Sequence, residues 1–164
     1  MITENEQKVY DVLNKLDIEY VRYEHKPIYT VEESQGLGMN ISGQQCKNLF
    51  LRDNNGKRHF LVVIDDYKRV DLKGLSTKIE STSLSFASES KLLKYLSLTP
   101  GCVSPFGLIN DISKSVEVII DKELDTSGKI SFHPNVNTAT ISIDYKDFEK
   151  FLTSCGNKIR FISV

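Results

Sequence analysis

Lys47-Asn48-Leu49-Phe50-Leu51, Asn54-Asn55-Gly56 and His59-Phe60-Leu61-Val62-Val63-Ile64 follow one another in the middle of the chain. Two strand-like runs flank a turn whose Asn-Gly pair tolerates the positive φ of a tight hairpin. The second run is apolar almost throughout, which predicts a strand covered on both faces. A strand of that kind lies inside a sheet with layers above and below it.

Working outward, Thr3 and Glu6 form a capping-box pattern, and Val9, Val12, Leu13 and Leu16 recur at helical spacing. Tyr20 to Glu24 reads as a short strand that His25-Lys26-Pro27 breaks. Thr30 and Glu33 repeat the capping pattern for a short helix ended by Gly36 and Gly38. Beyond the hairpin, Asp71 to Ile79 predicts a short helix weakened by Gly74. A second helix follows Ser88, with Leu92, Leu93 and Leu96 inward. Thr99 to Gly107 reads as a loop, because two prolines and two glycines deny it regular structure. Val116 to Ile120, Lys129 to Phe132, Thr138 to Ile143 and Ile159 to Val164 predict strands. Between the last two, Asp144 caps a helix with Phe148, Phe151 and Leu152 inward, and Gly156 ends it. Strands outnumber helices without strict alternation. The expected fold is α/β: one domain over residues 1–164, with a mixed, mostly antiparallel central sheet and flanking helices.

The chain has 164 residues, enough to bury a core, and no apolar run approaches a membrane span. Its first ten residues are polar and acidic, unlike a signal peptide, so a cytoplasmic location is expected. Cys46, Cys102 and Cys155 are odd in number and far apart, which argues against a disulfide framework and offers no zinc spacing. Neither a metal nor a cofactor is expected. The net charge is −1, but Lys47 to Lys78 holds eight bases against four acids, leaving about −5 elsewhere (−1 less 4). That stretch is either a solvated surface or a face that collects phosphates.

No Walker A loop, GxGxxG, HExxH or GxSxG is present. Three places could carry chemistry. His133-Pro134-Asn135-Val136-Asn137-Thr138 is a poor core segment but a good set of hydrogen-bonding groups at a strand end. Gly101 to Gly107 makes a rigid loop able to aim bare N–H groups at a developing oxyanion, or else is an ordinary connection. Lys47-Asn48 sets an ammonium and an amide near a strand start. His59, inside the hairpin, reads as structural, and His25 as either. A Cys–His pair using Cys46 or Cys102 lacks any local activation of the thiol.

Together, Lys47-Asn48-Leu49-Phe50-Leu51, Gly101-Cys102-Val103-Ser104-Pro105-Phe106-Gly107-Leu108 and Phe132-His133-Pro134-Asn135 through Asn137-Thr138-Ala139-Thr140 resemble the YbaK/prolyl-tRNA synthetase-associated domain family. Within it they are most like the freestanding alanyl-tRNA(Pro) deacylases (PrdX or ProXp-ala). The likeness extends to His25-Lys26-Pro27 with Thr30 and Glu33. It implies hydrolysis of the ester joining alanine to tRNA(Pro), sparing proline, with prolyl-tRNA synthetase as a further candidate partner. It also implies catalytic roles for Lys47, Asn48 and Gly101, and a pocket role for His133. Cys102, Val103, Ser104, Pro105, Phe106, Gly107, Asn135, Asn137, Thr138 and Thr30 would line the substrate site. Arg52, Lys57, Arg58, Lys68 and Arg69 would lie near the acceptor stem. A deacylase for cysteine or serine, a non-catalytic tRNA- or amino-acid-binding module, and a structural partner of the synthetase are the alternatives.

Overall fold

The computed structural model describes residues 2–27 and 41–164. The expected helix at Thr30 and Glu33 lies outside them. The elements in order are α1 (Glu4–Lys15), β1 (Val21–Glu24), β2 (Gln44–Arg52), β3 (His59–Asp65), α2 (Leu72–Lys78), β4 (Ser85–Phe86), α3 (Glu89–Leu96), a 3-10 helix (Pro105–Asn110), β5 (Val116–Asp121), β6 (Lys129–Phe132), β7 (Ala139–Asp144), α4 (Tyr145–Cys155) and β8 (Ile159–Ile162). Among the described residues they build an eight-stranded sheet ordered β1-β7-β6-β2-β3-β5-β8, with the two-residue β4 attached to β2. The pairs β1–β7, β2–β3, β2–β4 and β6–β7 are antiparallel; β2–β6, β3–β5 and β5–β8 are parallel. The fold is the expected α/β arrangement with a mixed sheet.

Alternation along the strands separates two apolar layers. Phe50, Leu61, Val63, Val118 and Ile120 join Val9, Leu13, Leu96, Phe106, Phe148 and Phe151 on one face. Leu51, Phe60, Val62, Ile64 and Ile119 pack on the other with Leu75 and Ile79. β3 is therefore buried on both sides, as its apolar run requires. Phe106 sits at the centre of the first layer, with its ring 5.9 Å from Phe132 and 5.0 Å from Phe151, edge to face.

Several local readings are corrected. Thr3 caps α1 by accepting from the Glu6 N–H at 3.2 Å. Glu6 does not complete the box, because its buried carboxylate turns to Arg22 Nε at 2.6 Å and to the Tyr10 hydroxyl. A charge-assisted pair out of water outweighs a backbone cap at a wet helix end. Leu93 is 57% exposed rather than inward, since α3 turns only Leu92 and Leu96 to the core. Asp144 occupies the N-cap of α4 without a side-chain cap bond, whereas Gly156 ends it at φ +78°. The Thr99–Gly107 loop gives way at its end to the 3-10 helix, for Pro105 suits a first helical position and Ser104 Oγ accepts from the Phe106 N–H at 3.1 Å. The last strand stops at Ile162 and β7 starts at Ala139. No helix among the described residues is long and apolar enough to cross a membrane.

Candidate active site

β2 is the strand around which the site forms. It runs parallel to β6 only at Gln44↔Ile130 and Gln45↔Ser131, and among the described residues no strand pairs with it on that side again until β4 joins at Leu51↔Phe86. Extending the register would set Lys47 level with His133, but β6 has ended and the chain has turned away. Parting strands leave a crevice with unshared backbone on its walls, the kind of place where α/β sheets hold ligands.

Lys47 and Asn48 are consecutive, so they point to opposite faces. Asn48 shares the face of Phe50 and meets the 101–104 loop, its Nδ2 lying 3.4 Å from the Val103 carbonyl. Its Oδ1 is buried without a partner among the described residues. Gly101 sits at φ +86°, a conformation that suits glycine and turns the chain back on itself. The Cys102 N–H donates to the Thr99 carbonyl, and the Phe106 and Gly107 N–H groups to Ser104. No acceptor among the described residues meets the N–H of Gly101, Val103 or Ser104. Bare N–H groups of this kind can hold an oxygen that gains negative charge, while the orphaned Asn48 Oδ1 can only accept from a donor such as a substrate hydroxyl. Ser104, Pro105, Phe106 and Gly107 are buried, so they support this loop from below, while Cys102 and Val103 are half-exposed.

Lys47 lies on the other face, the side from which Ser131, Thr140 and Ser142 project beside β2. These three are buried, and two are tied to backbone, Ser131 Oγ to the Gln44 carbonyl and Ser142 Oγ to that of Ser42. The Asp65-Asp66 pair closes the end of β3 beside them. Burial, with Asp65 next to it, pushes the Asp66 carboxyl above its ordinary range, and the Lys47 ammonium opposes that shift. An acidic doublet straight after an apolar run is the sequence signal that would have flagged Asp66.

His133 is the third component. Its Nδ1 lies 3.0 Å from the Ala139 carbonyl and 3.5 Å from Thr140 Oγ1. Burial, then the neighbouring His25, lowers its pKa and keeps it neutral, with the Ala139 contact acting the other way. Asn135 is buried at φ +61°, with Oδ1 unpartnered among the described residues. Asn137 and Thr138 are half-exposed, and the Thr138 carbonyl accepts from the His25 N–H at 2.9 Å. Thr30 lies outside the described residues.

The structure thus gathers Asn48 with the 101–104 loop, and His133 with Thr140 and His25, with Lys47 across the parting from His133. The five outer bases do not form one patch. Arg52, Lys57 and Arg58 cluster at the hairpin turn, whereas Lys68 and Arg69 follow the opposite end of β3, roughly 20 Å away along six strand steps. Arg58 makes a bidentate pair with Glu117 at 2.9 and 3.0 Å, and Lys68 bonds Asp121 at 2.7 Å and Glu123 at 2.5 Å. Arg69, by contrast, is exposed at the Lys47 end.

The three cysteines are unpaired. Burial, reinforced by Asp65 and Asp66, pushes the Cys46 thiol far up, and burial raises Cys155 to about 11. A thiol that resists ionisation is no nucleophile at neutral pH. Among the described residues, no cluster of three or more His, Cys, Asp or Glu could hold a metal ion. His59 is wedged in the core, its ring 5.6 Å from Phe50 and 4.6 Å from Tyr95.

The Prolyl-tRNA editing protein ProX of Acetoanaerobium sticklandii is 46% identical over 158 residues, 96% of either chain. The Prolyl-tRNA synthetase associated domain-containing protein 1 of Danio rerio is 36% identical over 89% of this chain and 80% of its own. A solved structure described as a candidate trans-editing enzyme for prolyl tRNA synthetase superposes with a TM-score of 0.70 over 98% of both chains. At 15% identity, that likeness speaks to the fold alone. A family profile described as the aminoacyl-tRNA editing domain matches residues 25–151, which span every element of the crevice. The chain belongs to the aminoacyl-tRNA editing domain family.

Proposed function

We propose that the crevice where β2 parts from β6 hydrolyses the ester joining alanine to the terminal adenosine of mischarged tRNA(Pro), and spares prolyl-tRNA(Pro). The chain is an aminoacyl-tRNA hydrolase of the editing kind. Alanine as the amino acid, and the roles of individual residues, are what the proposal adds. The observation that carries it is the set of bare N–H groups at Gly101, Val103 and Ser104 held against Asn48.

An aminoacyl ester is already activated, so a positioned water and a stabilised tetrahedral oxyanion suffice. Water adds to the ester carbonyl, whose oxygen takes up the negative charge facing the loop amides. Collapse breaks the bond to the ribose oxygen, releasing alanine and an uncharged tRNA. Asn48 orients the ester, and the Lys47 ammonium anchors the terminal nucleotide or the developing charge. A ribose hydroxyl of the substrate positions the water, so no protein side chain serves as the base. His133 bounds the amino-acid pocket.

Selection follows size. A site built for proline rejects a smaller side chain by only about 1–3 kcal/mol per missing methylene, and a second, smaller pocket then clears the error.

The test is deacylation of alanyl-, prolyl- and cysteinyl-tRNA(Pro) by the purified protein. Rapid loss of alanine with proline spared is expected. Preferential loss of cysteine would replace the substrate, and hydrolysis of none would leave a binding module.

A further inference from the structure

His25 and Thr140 belong to no step above, yet they touch His133. His25 Nε2 lies 2.8 Å from Thr140 Oγ1, and Thr140 Oγ1 lies 3.5 Å from His133 Nδ1. The far ends of this chain of contacts fix its direction. A carbonyl only accepts, so His25 Nδ1, at 2.8 Å from the Lys26 carbonyl, must carry a proton. His133 Nδ1, at 3.0 Å from the Ala139 carbonyl, must carry one too. In a neutral imidazole the other nitrogen is then bare. A His25 in that form accepts at Nε2, and among the described residues the donor it meets is the Thr140 hydroxyl.

We propose that His25 is a positioning residue: by claiming the Thr140 hydroxyl proton, it denies His133 its alternative tautomer and presents a bare His133 Nε2 to the α-ammonium of the aminoacyl group. If Thr140 were free to rotate, its hydroxyl could donate to a deprotonated Nδ1 and support the proton on Nε2 instead. With the hydroxyl committed to His25, that tautomer would set the Nδ1 lone pair against two oxygen lone pairs, those of Ala139 and Thr140.

His133 Nδ1 faces β7, so Nε2 looks away from β7 to the β2 side, where it has no partner among the described residues. The substrate's strongest donor near its side chain is the α-ammonium, and a bare imidazole nitrogen accepts from it where an imidazolium would repel it. His25 is itself held by the β1–β7 ladder, which its N–H extends to the Thr138 carbonyl. The Tyr10–Glu6–Arg22 group anchors β1 to α1 behind it.

The meaning of the tautomer rests on the editing reading, but its existence does not, so the test has two readouts. Nitrogen-15 NMR of the imidazoles in the free protein reports the tautomer whether or not the protein hydrolyses anything. Wild type should show His133 as a single Nδ1–H form. His25→Ala should bring in the Nε2–H form and lower kcat/KM on alanyl-tRNA(Pro) by about tenfold, the size usual when a working histidine loses its outer partner. His25→Ala combined with Thr140→Val, which removes the rotating hydroxyl, should restore the single form. A merely structural His25 would predict further damage in the double variant. A wild-type proton on His133 Nε2, an unchanged spectrum in His25→Ala, or no restoration in the double variant would each overturn the assignment. A correct spectrum with no hydrolysis by wild type would instead refute the editing reading and leave the assignment standing.

Discussion

Lys47 and Asn48 show how much one peptide step decides. Being adjacent in a strand, they address opposite faces, and both become useful only because β6 stops beside them. The proposed anchor role predicts that Lys47→Ala lowers kcat for alanyl-tRNA(Pro) at least a hundredfold, the scale of losing one electrostatic contact to a developing charge. Its melting temperature should stay near that of wild type, because Lys47 is half-exposed and makes no ion pair among the described residues. Near-normal turnover would remove the ammonium from the mechanism. The dipeptide is visible in the sequence, as is the polar loop at His133. The pairing of His25 with Thr140 is not, because 115 residues separate them and neither local motif names the other as a partner.

At the scale of elements, α1 and α4 were legible because each repeats a helical period, and the hairpin because an Asn-Gly turn joins two strand-like runs. β4 was not, since two residues, Ser85 and Phe86, show no period and exist as a strand only because β2 offers a free edge. The 3-10 helix was hidden for a different reason: Pro and Gly mark both loops and short helices. Gly107 sits inside it, and what it does there is packing. A Cβ at this position would stand 2.7 Å from Leu98 Cδ1 and 3.1 Å from Leu96 Cβ, both buried side chains. Gly107→Ala should therefore cost about 1–3 kcal/mol of stability by overpacking. Urea denaturation measures this directly, and a cost near zero would mean that the loop relaxes freely. Because this helix carries the amides at 101–104 on its shoulder, activity should fall along with stability.

For the whole molecule, the charge count along the chain misled in one respect. Eight bases between Lys47 and Lys78 suggest one basic face, but a strand as long as β3 sends them to opposite ends of the sheet. Carboxylates from distant elements also neutralise Arg58 and Lys68, which no local reading could find. A tRNA end reaching Lys47 would pass Arg69 and leave the hairpin turn untouched. Arg69→Glu should then raise KM for aminoacyl-tRNA several-fold and weaken its salt dependence, while Lys57→Glu changes either little. Equal effects would place the acceptor stem across the hairpin after all.

The divided partnership of β2 has a mechanical meaning. Seven residue pairs stitch it to β3, but only two stitch it to β6. The thinnest seam in the sheet thus runs through the crevice, with β1, β7 and β6 as one wing and β3, β5 and β8 as the other. Below this seam the Phe132 ring packs against Phe106 and Phe148, which ties β6 to the 3-10 helix and to α4. Local opening follows the least-bonded line. The sheet is therefore expected to yield first along the crevice, where the proposed substrate would enter.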